Sequence, residues 1–163
     1  MTDRVAILGL GGRGRRWAEN CLAAGLDVTG FDPDGRVQSD QGLTRADTIP
    51  AAVSGADWVI CCLPERLELI RTVVQRAQAL IADTALIAVA TEAFDIDAVQ
   101  SCAIRPGKVI RLSDGASGGI ALDVTGLNDA ETRQRATETM AILGAADSVT
   151  MHGDPRSEAR SVS

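Results

Sequence analysis

A glycine-rich turn near the start of the chain constrains its fold more than any other feature. Gly9, Gly11 and Gly14 form a G-x-G-x-x-G pattern. The pattern follows the apolar run 4–8 (RVAIL) and precedes segment 13–24, in which apolar residues recur at helical spacing. The first segment predicts a buried strand and the second a helix. A glycine motif at such a junction is typical of a turn that holds a phosphate-bearing ligand against the first amides of the helix.

An acidic residue follows at the end of the next predicted strand. Segment 27–31 (DVTGF) is strand-like, and Asp32 comes directly after it, 18 residues beyond Gly14. Glycines at these positions permit the tight turn, the approach of a pyrophosphate and close packing of helix on strand. The acid is placed to bind an adenosine ribose, and its charge repels the additional phosphate of NADP. The arrangement of strand, glycine turn, helix, second strand and acid therefore predicts NAD(H) as the cofactor, in preference to NADP(H).

Two alternatives to this interpretation stay open. Arg36 and the cluster of Arg13, Arg15 and Arg16 supply positive charge that could accept the additional phosphate of NADP. The glycines could also do no more than form a turn, with Asp32 capping it. The coincidence of strand, turn, helix and acid favours cofactor binding over that purely structural role.

Strands and helices alternate along nearly the whole chain. Strands are predicted at 4–8, 27–31, 57–63, 85–90, 108–112, 120–125 and 148–151. Helices are predicted at 13–24, 48–54, 95–103 and 128–143, with Asn128 as the cap of the last, and a further helix opens at Pro64. This alternation predicts a Rossmann-type α/β fold, in which a doubly wound and mostly parallel sheet carries helices on both faces. We expect one dinucleotide-binding domain over residues 1–152 and a polar tail over 153–163.

Composition and charge argue against several other classes of protein. The net charge of −6 disfavours a nucleic-acid-binding surface. No apolar stretch approaches the roughly 20 residues of a membrane helix and no leader is recognised, so we expect a cytoplasmic protein without membrane contact. The four cysteines have no C-x-x-C spacing and the chain has one histidine, which predicts reduced thiols and no metal site.

Three further segments resemble the NAD-binding domain of the L-3-hydroxyacyl-CoA dehydrogenases, within the 6-phosphogluconate and β-hydroxyacid dehydrogenase superfamily. Residues 56–69 (ADWVICCLPERLEL) are similar to that family's ADLVIEAVPENLEL, and residues 105–112 (RPGKVIRL) to its RPERVIGL. Residues 132–144, followed by Asp154-Pro155, are similar to a third family segment.

The resemblance implies reversible oxidation of a 3-hydroxyacyl-CoA with NAD. It also places Glu65 near the nicotinamide, although an acid in the first turn of a helix is an equally good interpretation of that residue. The predicted cofactor-binding residues are Gly9, Leu10, Gly11, Gly12, Arg13, Gly14, Asp32, Leu63, Pro64 and Glu65.

The resemblance breaks down in the catalytic part of the family's site. Ser113 stands where the family has its catalytic histidine, and residues 90–93 (ATEA) replace its Asn-Thr-Ser-Ser loop. The family's helical carboxyl-terminal domain has no match, and the surface left open predicts self-association or a partner subunit. Two functions therefore stay open: a dehydrogenase acting on a small-molecule substrate, completed by a partner chain, or a non-catalytic NAD-binding module.

Three residues are weak catalytic candidates because they follow the strand at 108–112. They are Ser113, Asp114 and Ser117, all expected beyond the strand's end at the mouth of the sheet. Ser117 also opens a Ser-Gly-Gly that resembles the substrate loop of the β-hydroxyacid dehydrogenases. Lys108, the chain's one lysine, is expected to be a solvated surface residue.

Overall fold

The computed structural model describes residues 3–34, 42–101, 103–114 and 120–143, together with the backbone of 146–152. Within these ranges the secondary structure alternates as the sequence predicts. The strands are β1 (Arg4–Leu8), β2 (Asp27–Phe31), β3 (Thr44–Arg45), β4 (Trp58–Cys61), β5 (Leu86–Ala90), β6 (Val109–Asp114), β7 (Ile120–Thr125) and β8 (Ala146–His152). The helices are α1 (Gly12–Ala23), α2 (Ile49–Val53), α3 (Leu67–Leu80), α4 (Ile96–Gln100) and α5 (Ala130–Ile142), with a 3-10 turn at Pro106–Lys108.

The strands form one eight-stranded sheet in the order β3-β2-β1-β4-β5-β6-β7-β8. Neighbouring strands from β3 to β6 are parallel, β7 runs antiparallel to β6, and β8 is parallel to β7. The chain winds outward in one direction through β2 and β3 and in the other from β4, so the order reverses between β1 and β4. Ligands of such sheets bind outside the carboxyl ends of the strands at this reversal. The doubly wound, mostly parallel fold predicted from the sequence is confirmed.

Apolar side chains fill both faces of the sheet. On one face Trp17 and Cys21 of α1 and Met140 of α5 pack against alternate residues of the strands. On the other face Ile70 and Val74 of α3 pack against the intervening residues, together with α2 and α4. Because parallel strands covered on both faces need apolar residues throughout, β4 and β5 are buried along their whole length.

One helix begins later than the sequence predicts. Pro64 does not open α3, which starts at Leu67 with the extended residue Arg66 as its cap. The Arg66 amide instead donates to the Pro64 carbonyl oxygen at 2.7 Å, closing a tight turn before the helix. Glu65 is therefore not an acid of the first helical turn, a position that Glu68 takes. The turn frees the Glu65 side chain to reach a neighbouring loop.

Two side chains near α5 also differ from expectation. Asp129, not Asn128, caps the helix, because its carboxylate accepts from the Thr132 amide at 2.7 Å. Asn128 is buried, and its side-chain oxygen accepts from the Thr125 amide at 2.8 Å. Lys108 is not simply solvated, since its ammonium donates to Thr132 Oγ1 at 3.1 Å.

The sheet has a short edge strand that the sequence pattern did not predict. β3 has two residues and pairs with β2, so too few residues alternate to leave a recognisable period. β8 lies at the opposite edge and contains the strand predicted at 148–151. The predicted glycine loop at 115–119 and the tail at 153–163 lie outside the described residues. Among the helices in the described ranges, none is long and apolar enough to cross a membrane.

Candidate cofactor site

The glycine turn brings three backbone segments into close contact at the carboxyl end of β1. Gly9 has a φ of +97°, a conformation that favours glycine, and a Cβ there would stand 2.3 Å from the carbonyl oxygen of Cys62. A Cβ on Gly14 would stand 1.8 Å from the carbonyl oxygen of Gly9. Two of the three motif glycines are therefore required by space, as the sequence pattern predicts for the tight turn and for helix–strand packing.

The turn presents the first amides of α1 to an open cleft. Gly11 is the cap of the helix, and the Arg15 amide donates to its carbonyl oxygen at 2.9 Å. The amides of Gly12, Arg13 and Gly14 come before this bond, so they have no intrahelical acceptor. No acidic residue lies in the first turn of α1 to compete for them. A cleft of about 280 Å³ opens here, lined by Gly11, Gly12, Arg13, Gly14, Cys62, Leu63, Pro64 and Glu65. Amides facing such a cleft fit an anionic pyrophosphate.

Asp32 lies beside this turn and holds it in place. The side chain is buried, and its Oδ2 accepts from the Leu10 amide at 3.0 Å. Its Oδ1 accepts from the Asp34 amide at 2.9 Å, which closes the turn after β2. The capping role that the sequence left open is thus part of the structure. A carboxylate has about four acceptor positions, and these two bonds occupy two of them.

Glu65 anchors the loop that follows β5. Its Oε2 accepts from Thr91 Oγ1 at 2.5 Å and from the Ala93 amide at 3.3 Å, and its Oε1 accepts from the Glu92 amide at 3.3 Å. Burial by itself raises the pKa of a carboxyl group, but these hydrogen bonds and one from Arg13 outweigh it and hold the pKa of Glu65 below its ordinary value. Glu65 is therefore a fixed anion between the loops that follow β4 and β5.

Arg13 completes this cluster from the side of α1. Its Nη1 donates to Glu65 Oε1 at 3.1 Å and to the carbonyl oxygen of Ala90 at 3.2 Å. Sequence reasoning placed Arg13 and Glu65 at the site but missed Thr91 as the partner of Glu65. The position of Thr91 directly after a predicted buried strand is the one signal that could have pointed to it.

Comparison with known proteins identifies the domain to which this arrangement belongs. Residues 4–127 match the family described as the NAD binding domain of 6-phosphogluconate dehydrogenase. The chain belongs to this family. NAD, the cofactor predicted from the glycine motif and Asp32, is confirmed, and so is the resemblance to the superfamily that includes the 3-hydroxyacyl-CoA dehydrogenases.

The relatives of this NAD-binding domain are dehydrogenases. L-carnitine dehydrogenase of Streptomyces griseus is 31% identical over 130 residues, which are 66% of this chain and 39% of that protein. The chain thus spans about two fifths of the length of that relative. Among solved structures, 3-hydroxyisobutyrate dehydrogenase of Mycobacterium tuberculosis is 25% identical with a TM-score of 0.71, covering 93% of this chain and 54% of that one. (S)-3-hydroxybutyryl-CoA dehydrogenase of Ralstonia eutropha has a TM-score of 0.77 at 14% identity, covering 93% of this chain and 63% of that one, and shows the fold alone.

The described catalytic candidates of the NAD-binding domain lie beside the contacts that Glu65 makes with Arg13 and Thr91. Ser113 and Asp114 are the last two residues of β6, and so lie inside the strand rather than beyond its end as expected, because β6 extends two residues past the predicted 108–112. The Asp114 amide donates to Glu92 Oε1 at 2.7 Å, which joins β6 to the loop that Glu65 anchors. Both candidates line a small cavity of about 30 Å³, together with Arg13 and Glu92. Ser117 lies outside the described residues.

Proposed function

We propose that the chain is the cofactor-binding part of an NAD-dependent dehydrogenase that acts on a small hydroxyacyl or hydroxy-acid substrate, with its site completed by further polypeptide. The single observation that carries this is the glycine turn, where helix amides face a cleft and where a Cβ at Gly9 or Gly14 would clash with a backbone carbonyl oxygen. The dehydrogenase relatives support the reaction class.

Each part of the cofactor has a proposed partner along the carboxyl edge of the sheet. The amides of residues 11–14 would bind the pyrophosphate, and Asp32 the adenosine ribose. Leu10, beside Asp32, would adjoin the ribose. Leu63, Pro64 and Glu65 would lie on the nicotinamide side, because they line the same cleft after β4. When bound, NAD supplies the hydride acceptor or donor, and the polypeptide has to bind and orient it.

A non-catalytic NAD-binding module is the second candidate. The observation that favours it is the end of β6, where Ser113 stands in place of the histidine that the resemblance predicts. Asp114 is exposed there, and its backbone, not its carboxylate, makes the contact with Glu92. In this case the chain would hold or sense the cofactor, or serve as a partner subunit, without turnover of its own.

We also propose that the chain associates with itself or with a partner subunit in the cytoplasm. Ile104, Leu127 and Ile142 are large apolar residues that expose 54%, 63% and 66% of their surfaces, and this exposure supports the proposal. Cys21 and Cys62 are free thiols, which fits a reducing compartment. Burial raises the pKa of each thiol to about 12, which keeps both protonated and unreactive. A monomeric mass of the isolated chain at tens of micromolar would contradict self-association.

The deciding experiment is a titration of the chain with NADH and, separately, with NADPH. Nicotinamide fluorescence and quenching of the tryptophans report binding, and Trp17 lies on α1 beside the site. We expect saturable binding of NADH and weaker binding of NADPH. NADH binding should weaken in Asp32→Ala and be retained in the exposed-acid control Asp34→Ala. Failure to bind either nucleotide would overturn the proposed function. Turnover of a 3-hydroxy substrate by the chain with added partner would separate the enzyme from the module.

A further inference from the structure

The side chain of Arg13 lies across the crevice in which the cofactor is expected to bind. Arg13 lies in the first turn of α1, the helix that follows β1. Its guanidinium reaches Glu65 after β4 and the Ala90 carbonyl oxygen at the end of β5, at 3.1 and 3.2 Å. Because the strand order is β1-β4-β5, the side chain passes over the carboxyl end of β4.

This location matters because the sheet reverses its strand order between β1 and β4. A dinucleotide in a doubly wound sheet lies across the carboxyl ends of the strands at the reversal, with its pyrophosphate on the first helix. The half on the side of β2 meets Asp32, and the other half extends over β4 toward β5. The guanidinium of Arg13 therefore lies where the nicotinamide half has to pass.

Glu65 holds the Arg13 guanidinium in this position, and the Glu65 carboxylate is itself held by hydrogen bonds. The carboxylate is fixed by Thr91 Oγ1 at 2.5 Å and by the amides of Glu92 and Ala93 at 3.3 Å. The Arg13 and Glu65 side chains expose 40% and 33% of their surfaces, so the ion pair is accessible to solvent and can open at modest cost.

We propose that the Arg13–Glu65 pair is a latch that closes the nicotinamide half of the cleft and leaves the adenosine half open. A dinucleotide has to displace the Arg13 side chain, whereas a nucleotide that fills only the adenosine half does not. Arg13 thereby discriminates between the two classes of ligand, while its backbone amide stays with the phosphate-binding set. This inference rests on the proposed function, because it assumes that the cleft binds NAD(H).

The test compares the dissociation constants of NADH and ADP in the wild type, in Arg13→Met and in Arg15→Met. Arg15→Met is the matched control, because it removes the same charge from an exposed position two residues further along α1. In Arg13→Met we expect NADH to bind about two- to fivefold more tightly, the range that corresponds to an exposed ion pair, with ADP unchanged. In Arg15→Met the ratio of the two constants stays at the wild-type value.

Three outcomes overturn the latch. NADH binding that is unchanged in Arg13→Met contradicts it, and so does equal weakening of NADH and ADP, which would make the Arg13 side chain a phosphate ligand. A ratio that shifts equally in Arg15→Met would assign the effect to general charge. Glu65→Gln provides an independent variant, since it removes the ion pair while an amide oxygen still accepts from Thr91, and it should also tighten NADH relative to ADP.

Failure of the proposed function gives a different result. If wild type and Arg13→Met bind neither NADH nor ADP while both unfold cooperatively on heating, the proposed function and the latch fall together. If the wild type binds ADP alone and Arg13→Met binds both, the latch is supported in its strongest form.

Discussion

The carboxylate of Asp32 and the amide of Leu10 are joined by a buried hydrogen bond of 3.0 Å, which ties the end of β2 to the middle of the glycine turn. The two residues lie 22 positions apart in the sequence and at neighbouring strand ends in the sheet. Because the same carboxylate also accepts from Asp34, one side chain orders both loops that border the adenosine side of the cleft. Asp32 thus shapes the site as well as being a proposed ligand of the ribose.

Replacing Asp32 with alanine should lower stability and NADH affinity together. The change leaves the buried Leu10 amide without its acceptor, which costs about 1–3 kcal/mol of unfolding free energy. Asp32→Asn keeps one carbonyl oxygen and should fall between alanine and the wild type in thermal unfolding. A full loss of NADH binding without any loss of stability would mean that Asp32 acts on the ligand alone.

Two glycines of the same turn should respond oppositely to alanine. Gly14→Ala places a methyl group 1.8 Å from the Gly9 carbonyl oxygen, within rigid backbone, and should cost about 3 kcal/mol or more. Gly12→Ala meets nothing within 4 Å and should keep or raise stability by up to about 0.5 kcal/mol, because alanine is the better helix former. Chemical denaturation of the two variants beside the wild type measures both effects. Equal destabilisation by the two changes would contradict the close approach of α1 to β1.

The part of the site that local sequence determines could be predicted, and the part that long-range contacts determine could not. A glycine turn between a strand and a helix has a local signature, so Gly9, Gly14 and the acid at position 32 were recognisable. The contact between Arg13 and Ala90 joins residues 77 positions apart and depends on β4 lying between β1 and β5. Propensity favoured Pro64 as the first residue of a helix, but the tertiary contacts of Glu65 favour a turn there instead.

The Glu65 cluster should make stability depend on acid pH. The pKa of Glu65 is lowered in the folded chain from its ordinary value of 4.5, so folding favours the ionised form. The resulting stabilisation is fully present above about pH 4.5 and is lost as the pH falls through the lower, folded value. The difference in melting temperature between wild type and Glu65→Gln should therefore be largest at neutral pH and shrink below pH 4.5.

A second variant identifies the source of that pH dependence. Thr91→Val removes the hydroxyl that donates to Glu65 and keeps nearly the same shape, so the pH-dependent difference should become smaller in its background. A difference of the same size in both backgrounds would show that Thr91 does not stabilise the ionised carboxylate. Because Glu65 is partly exposed, we expect the whole effect to stay at about 1 kcal/mol or less.

A buried ion pair joins Arg111 of β6 to Asp123 of β7 at the antiparallel end of the sheet. The two residues are direct partners in the strand register, and their side chains expose 16% and 8% of their surfaces. Asp123→Leu leaves the guanidinium buried without its counter-ion and should cost about 3–5 kcal/mol. The double variant Arg111→Met, Asp123→Leu removes both charges and should recover most of that loss, since apolar pairs of similar volume replace buried ion pairs well. Urea denaturation of the wild type, Asp123→Leu, Arg111→Met and the double variant gives the coupling free energy between the two side chains. A double variant as unstable as the sum of the two single variants would mean that the charges act independently, and that apolar packing and backbone pairing hold β7 against β6.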